Sequence, residues 1–362
     1  MKSQIFSLQP QSRELHQALF YGVLERNGHS FRVFPQELLH ERGILKKVIA
    51  LGVPVGEWKK PPFWRVLLKV LHPEKLGLTL FPALLMMMDG LSIQGWPLHS
   101  VNLILSVCVV LCLQSSMQMF NDVEDHFRLV DLPHSDRRQG RGVLQLGWMS
   151  AQSLKRLGWI FFTLGVALGS LVLYRTQDVF LFVLGGVGLL GLLSYSGSGV
   201  GLKYRAWGDL LILWMTGPVL CLGWSLVAFQ EWSSGVISLG LFSGLMNASV
   251  FICRHIQTLE MDRQTGILTL PLVLGFKNSR IALVSLYALS LLSLCVFAFS
   301  ESSSIDFALA GGVGALAPVR QIHRLYSVSG PLSAQLSGFT YSALLTHFWV
   351  FVCVALGLFL KF

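Results

Sequence analysis

Acidic side chains are concentrated at residues 121–131, where four of the 19 acids of a 362-residue chain fall within eleven positions. Asp122 and Asp125 are three residues apart, so their carboxylates share one face if a helix continues through them. Two close carboxylates repel each other unless a cation lies between them. Mg²⁺ suits such a pair because it takes a few carboxylates, keeps several waters and leaves positions for phosphate oxygens. The spacing predicts a metal site formed by Asn121, Asp122 and Asp125, with solvated loop charges as the alternative.

A second acidic segment lies at residues 254–266. It carries Glu260 and Asp262 as predicted metal ligands, and His255 and Gln257 as further candidates. Two acidic segments on one side of a membrane suit a diphosphate held through metal ions. The remaining phosphate charge would be neutralised by nearby cations, for which the sequence offers Arg128, Lys203, Arg205 and Arg263.

The segment at residues 199–209 combines two cations, two aromatic rings and an acid at the start of an apolar run. An acid that faces a helical bundle at membrane depth is a functional candidate by default. The alternative is a belt of aromatic and basic residues at the membrane interface. That alternative explains Lys203, Tyr204 and Trp207 well, but it explains Asp209 poorly.

Long apolar runs position these segments. The chain is 53% hydrophobic and 13% charged, a composition that excludes an ordinary soluble domain. Because a helix needs about 20 apolar residues to cross the hydrocarbon core, the runs predict an all-α, polytopic transmembrane bundle of about nine helices. The predicted spans are 76–92, 101–120, 157–174, 179–197, 207–229, 234–253, 281–299, 306–322 and 339–360.

Basic residues predict how the chain is oriented, since Lys and Arg accumulate in cytoplasmic loops. They follow the second, fourth, sixth and eighth spans, whereas the opposite loops contain a single basic residue, Arg175. We therefore expect the N-terminus inside, the C-terminus outside and both acidic segments on the cytoplasmic side. The net charge of +9 reflects this bias and an attraction to anionic lipid or substrate, and it does not indicate nucleic acid.

Residues 1–70 differ from the transmembrane domain predicted for 71–362, because they are mixed in polarity and contain several prolines. Residues 13–26 and 36–51 both have helix-like apolar spacing. A small cytoplasmic cap and an amphipathic interfacial piece both fit this pattern. Residues 1–10 show no secretory signal.

Two motifs carry a family resemblance. The segment NDVEDHFRLVD at 121–131 resembles the first aspartate-rich motif of the UbiA superfamily of intramembrane aromatic prenyltransferases, and DRQTGILTLPLVLG at 262–275 resembles the second. The segments GRGVLQLGWMS at 140–150 and YRAWGD at 204–209 are most similar to the MenA type, the 1,4-dihydroxy-2-naphthoate polyprenyltransferases of menaquinone synthesis. Three residues depart from the usual pattern: Thr258 replaces an aspartate, Asp209 a glutamate and His72 an arginine.

The resemblance, which covers about residues 72–360, implies magnesium-dependent transfer of a polyprenyl group from a prenyl diphosphate to an aromatic quinone precursor, here 1,4-dihydroxy-2-naphthoate. It further implies a bacterial inner membrane and an active site that faces the cytoplasm. The catalytic residues would be Asp122, Asp125, Asp262, Lys203 and Tyr204, and the cofactor-binding residues Arg128, Arg141, Arg205, Asp209 and Arg263, with Asp131 as a further candidate.

Other functions remain open at this point. Acceptors of the 4-hydroxybenzoate, homogentisate or chlorophyllide type would suit the same motifs. A membrane transporter would be expected to carry ionisable residues or broken helices near the bilayer midplane, whereas the acids here crowd at span ends. A membrane alcohol phosphotransferase would need a compact aspartate, glycine and arginine signature that the sequence does not contain.

Overall fold

The computed structural model of the chain describes residues 3–26, 28–41, 44–57, 61–93, 98–130, 142–196, 200–300 and 305–360. The chain divides into two compact units. The first consists of Met1–Pro73 with Cys112–Leu164, and the second of Glu74–Leu111 with Gly165–Phe362.

The first unit begins with a four-stranded antiparallel sheet in the spatial order β1-β4-β3-β2. The strands are β1 (Gln4–Leu8), β2 (Val23–Arg26), β3 (His29–Glu41) and β4 (Ile44–Pro54), and helix α1 (Arg13–Tyr21) connects β1 to β2. Alternate residues of a strand point to the same face. One hydrophobic core is therefore shared by sheet and helix, and it includes Phe6, Leu8, Leu15, Leu19, Phe31, Val33, Val48 and Ala50.

The predicted helix at 36–51 is wrong, because the described part of this range lies in β3 and β4. Val48 and Ala50 pair with Leu8 and Phe6 of β1, a strand at the far end of the N-terminal region. Local spacing does not reveal such a distant partner, and packing against it decides the structure. The helix predicted at 13–26 is confirmed as far as Tyr21, where Gly22 ends it with a left-handed φ of 70°.

A second core completes the first unit. It is formed by α2 (Phe63–Leu71), the last turns of α4 (Ser100–Phe127) and the first turns of α5 (Ala151–Thr176). Val66 of α2, Val123 of α4 and Leu154 of α5 belong to one buried cluster. Val143 and Leu144, from the turns before α5, join the same cluster.

The second unit is a bundle of apolar helices around α9 (Ser234–Gln257), whose side chains are largely buried. It also takes in the remaining parts of α4 and α5. Its other helices are α3 (Pro73–Ser92), α6 (Val179–Ser196), α7 (Gly208–Trp214), α8 (Leu220–Phe229), α10 (Leu259–Thr265), α11 (Leu270–Ser300), α12 (Ile305–Tyr326) and α13 (Phe339–Phe359).

Within the described ranges, seven helical segments are long and apolar enough to cross a membrane. The predicted class, a polytopic transmembrane helical bundle, is confirmed, although the count differs from nine. The apolar part of α6, Val179–Tyr195, is shorter than the others. Helix α12, which contains Pro318 and ends in a turn with His323 and Arg324, is not among the seven.

Two interrupted helices of this unit meet at the buried side chain of Asn247 on α9. Pro82 in α3 has no N–H, so the carbonyl of Leu78 loses its helical donor. The Asn247 amide donates to Leu78 O and to Thr216 Oγ1, both at 2.8 Å. Thr216 lies in the π-helical turn between α7 and α8. The Asn247 Oδ1 atom lies 2.7 Å from Nε2 of His347 on α13, so one side chain links four segments of the bundle.

Candidate functional site

The first acidic pair lies on the last turns of α4, and the helix continues through both aspartates to Phe127. The amide of Asn121 donates to Asp125 Oδ2 at 3.0 Å, and both side chains are buried. Asp122 Oδ2 lies 3.0 Å from Nε2 of His72. His72 has a φ of 47° between α2 and α3, and this left-handed turn separates the two helices. Sequence reasoning had noted His72 only as a departure from a motif.

The electrostatics of this helix end favour a cation. Carboxylates are destabilised at the C-terminal end of a helix, where the helix dipole is negative, yet three acids occupy the last two turns of α4. Glu124 is paired with Arg128, with 3.0 Å between Oε1 and Nη2. Asp122 and Asp125 contact His72 and Asn121 rather than a lysine or arginine side chain in the contacts described above, and they stay the predicted metal ligands of this segment.

The second acidic segment is built around Asp262, which is buried in α10. Its Oδ2 atom accepts hydrogen bonds from the hydroxyl groups of Thr258 at 3.1 Å and Thr269 at 3.3 Å. Burial raises the pKa of the Asp262 carboxyl, whereas His255, Thr258 and Arg254 oppose that shift. A nearby cation would stabilise the charged form of this buried carboxyl group.

Glu260 and Arg263 lie on the outer side of the same helix. Their side chains form an ion pair, with 3.0 Å between Oε2 and Nη1, and both are far more exposed than Asp262. Residues two apart on a helix point in nearly opposite directions. Glu260 is thus turned away from Asp262, and its role as a metal ligand stays a prediction.

The segment before α7 is hydrogen-bonded to the segment that follows Asp262. Ala206 N donates to Leu268 O at 2.6 Å, and Leu268 N donates to Tyr204 O at 3.3 Å. Tyr204 is buried, and Lys203 Nζ lies 5.2 Å from the centre of its ring. The structure therefore brings the predicted segment around Lys203, Tyr204 and Arg205 next to the second motif.

A buried acid and a histidine meet close to this segment. Asp209 Oδ1 lies 3.1 Å from Nδ1 of His255, and the two side chains are 4% and 11% exposed. Among the described residues neither of these two atoms has an aligned hydrogen-bond partner. His255 also interacts electrostatically with Asp262, which places Asp209, His255 and Asp262 in one electrostatic group.

The donor atoms of both segments suit a hard cation. Asn121, Asp122, Asp125 and Asp262 offer oxygen ligands, which Mg²⁺ prefers. No group of three or more His, Cys, Asp and Glu able to hold a metal occurs in the part of the chain that the structure describes. Mg²⁺ bound by one or two carboxylates takes its remaining ligands from water and substrate phosphates. Asp131 and Arg141 lie outside the described residues.

The long apolar helices define a polytopic helical membrane protein, and its candidate oxygen ligands lie on α4 and α10. The chain belongs to the UbiA prenyltransferase family, whose family model matches residues 79–344. It is therefore a prenyltransferase, as the motifs predicted.

Several known proteins are similar in sequence. UbiA prenyltransferase domain-containing protein 1 of Gallus gallus is 26% identical over 260 residues, which cover 71% of this chain and 75% of the relative. The 1,4-dihydroxy-2-naphthoate octaprenyltransferase of Haemophilus influenzae is 28% identical over 243 residues, covering 63% and 76%. The 2-carboxy-1,4-naphthoquinone phytyltransferase of Synechocystis is 27% identical over 203 residues, covering 54% and 64%.

Solved structures share the fold at lower identity. Digeranylgeranylglyceryl phosphate synthase superposes with a TM-score of 0.60 at 16% identity, and the match covers 82% of this chain and 98% of that protein. A UbiA homolog from Archaeoglobus fulgidus bound to GPP and Mg²⁺ gives a TM-score of 0.57 at 14% identity, covering 80% and 99%. These likenesses support the UbiA fold of the bundle.

Proposed function

We propose that this prenyltransferase transfers a polyprenyl group from a prenyl diphosphate to 1,4-dihydroxy-2-naphthoate, or a closely related naphthoate, with the help of Mg²⁺. The observation that carries the proposal is the environment of Asp262, a buried carboxylate held by two threonine hydroxyls beside a segment that contains Lys203 and Arg205. Naphthoate and naphthoquinone derivatives are named in two of the relatives. Mg²⁺ and GPP are bound in one structural neighbour.

The acidic segments would hold the metal. Mg²⁺ at Asn121, Asp122 and Asp125, and at Asp262, would supply positive charge to the departing diphosphate. Buried carboxylates at a helix end bind a cation better when their side chains are already held in place. The hydrogen bonds from Asn121 to Asp125 and from Thr258 to Asp262 provide that support.

The chain's own residues would carry out the remaining steps. Lys203, Arg205 and further arginines neutralise phosphate oxygens as the bond between the allylic carbon and oxygen breaks. Tyr204 offers an aromatic face to the positive charge that develops on the prenyl carbon. A ring carbon of the acceptor forms the new carbon–carbon bond and then loses carbon dioxide, or a proton if it carries no carboxyl group. The predicted arginines are Arg128, Arg141 and Arg263.

The proposal also specifies the orientation of the chain in the membrane. Basic residues follow alternate spans, which supports an N-terminus and acidic segments on the cytoplasmic side. A bacterial inner membrane remains a prediction, since the relatives come from animals and from bacteria. Membership of a prenyltransferase family removes the support for a transporter.

Purified protein in detergent tests the proposal directly. Labelled geranyl diphosphate and 1,4-dihydroxy-2-naphthoate are expected to give prenylated product with Mg²⁺ and none with excess EDTA. Asp262→Asn is expected to lower the rate by at least about a hundredfold, while Glu231→Gln, an exposed acid distant in sequence from both motifs, matches the wild type. Unchanged activity in Asp262→Asn would contradict the metal assignment, and product only with other acceptors would contradict the naphthoate assignment.

A further inference from the structure

The N-terminal sheet and helix α1 pack against the residues that follow the acidic pair at the end of α4. His126 Nε2 donates to the carbonyl of Leu19 at 3.2 Å, in the last turn of α1, where carbonyls have no intrahelical partner. The ring of Phe127 stacks on His16, with 5.7 Å between ring centres and 26° between planes. Leu129 is buried in the core that the sheet shares with α1. The chain that follows the acidic pair is therefore part of the N-terminal fold.

The same sheet also holds the turns at residues 142–150. The guanidinium group of Arg32 on β3 donates to the carbonyl of Gly147. Gly147 has a left-handed φ of 64°, and a Cβ atom there would lie 2.5 Å from the ring of Phe34. Only glycine fits this position, so the backbone turn lies directly against β3.

Both sets of contacts are made by the side of α4 that carries Val123, His126 and Phe127, next to Asp122. Val143 and Leu144, which precede Gly147, are buried in one cluster with Val123. Val123 directly follows Asp122 in the helix. Helix α1 thus supports the end of the acidic turn through His126, and strand β3 supports its side through the turns at 142–150.

Contacts from outside α4 are needed to fix the positions of Asp122 and Asp125. The last turn of a helix frays readily, and the negative end of the helix dipole repels the acids placed there. Without an external contact, the geometry of Asp122 and Asp125 would be poorly defined. The supporting residues of α1 and β3 lie outside the match to the family model, which begins at residue 79.

We propose that the N-terminal sheet and helix α1 together position the first acidic pair, and that Arg32 and His126 are positioning residues that set its affinity for Mg²⁺. The inference rests on the proposed function, because a divalent ion at Asp122 and Asp125 is part of that function. Both residues act through the backbone that they hold. Loss of such outer contacts typically weakens metal binding by about ten- to a hundredfold.

Two readouts on the full-length protein test this proposal. Mn²⁺ binding is followed by electron paramagnetic resonance, and the half-saturating Mg²⁺ concentration is measured for prenyl transfer. Arg32→Gln and His126→Leu are expected to weaken Mn²⁺ binding and to raise the half-saturating Mg²⁺ concentration by about tenfold. The rate at saturating Mg²⁺ is expected to change little. Arg32→Lys and His126→Gln keep a donor and are expected to recover most of the affinity.

Arg13→Gln is the matched control, because Arg13 is an exposed cation of the same N-terminal region. Where Arg32→Gln or His126→Leu does not fold, Phe34→Leu loosens the contact at Gly147 without removing a charge. Folded variants that match Arg13→Gln in both readouts would overturn the inference. A wild-type protein that shows neither divalent binding nor transfer would instead overturn the proposed function.

Discussion

Thr258 determines how the second acidic segment holds its carboxylate. It stands where the second motif usually carries an aspartate, and its hydroxyl donates to Asp262 at 3.1 Å. Hydrogen bonds to a carboxylate favour its charged form, against the effect of burial. A second aspartate at this position would instead repel Asp262. With threonine at position 258, the segment has a single acid here, Asp262, which is fixed by the Thr258 hydrogen bond.

Removing the Thr258 hydroxyl is expected to weaken the metal site. Thr258→Val should raise the half-saturating Mg²⁺ concentration of transfer by about tenfold, because a hydrogen bond to a charged group contributes about 1.5–3 kcal/mol. Thr258→Ser keeps the hydroxyl and is the control, with an expected change below about threefold. Titration of activity with Mg²⁺ measures both variants. Equal values for valine and serine would show that the hydroxyl plays no part.

Part of the site follows from residue spacing and part does not. The three-residue spacing of Asp122 and Asp125 predicted a shared helix, and that helix is confirmed. The contact of Asp122 with His72 depends on a left-handed turn between α2 and α3, fifty positions away, which no local pattern reveals. His255 was a candidate ligand, but its approach to Asp209 requires the packing of α7 on α9.

The sequence likewise predicts some secondary-structure elements and not others. Apolar runs reveal membrane helices because lipid requires every backbone group to bond within its own segment. The N-terminal strands have no such signature, since β1 and β4 pair across most of that region. The apolar spacing of 36–51 is therefore compatible with a helix until Phe6 and Leu8 are placed opposite Ala50 and Val48.

Asn247 is expected to stabilise the packing of the interrupted helices α3 and α7–α8 in the bundle. Asn247→Leu removes hydrogen bonds to Leu78, Thr216 and His347 within an apolar core. Each buried group left without a partner costs about 1–3 kcal/mol, so the thermal midpoint in detergent should fall clearly. Asn278→Leu is the control, because Asn278 is exposed and bonds only within its own helix among the contacts described. Equal midpoints for the two variants would contradict this role.

In the whole molecule, the boundary of the family match does not coincide with the boundaries of the two compact units. The match begins at residue 79, within α3, while the first unit combines the N-terminal sheet with residues 112–164. The sequence indicated a change in character near residue 70 because charge and proline content fall there. It did not reveal that the preceding residues share a unit with the first acidic segment, since that association depends on contacts such as Arg32 with Gly147.

The number of crossings decides where the termini lie. If α6 and α12 cross together with the seven segments described above, the odd total of nine places the termini on opposite sides. Alkaline phosphatase fused after Phe362 should then be active, and green fluorescent protein at the same point should remain dark. Active phosphatase at the N-terminus, or fluorescence at the C-terminus, would contradict the predicted orientation.

The sequence predicts that a prenyl diphosphate binds through divalent ions at Asp122 and Asp262, and a double-mutant cycle tests this prediction most directly. Equilibrium binding of geranyl diphosphate is measured with Mg²⁺ and with EDTA for the wild type, Asp122→Asn, Asp262→Asn and the double variant. If both carboxylates act on one bound diphosphate, each single variant loses the Mg²⁺-dependent part of the affinity, and the double variant is little worse than either. Strictly additive losses, or Mg²⁺-dependent affinity that survives in both single variants, would contradict the claim.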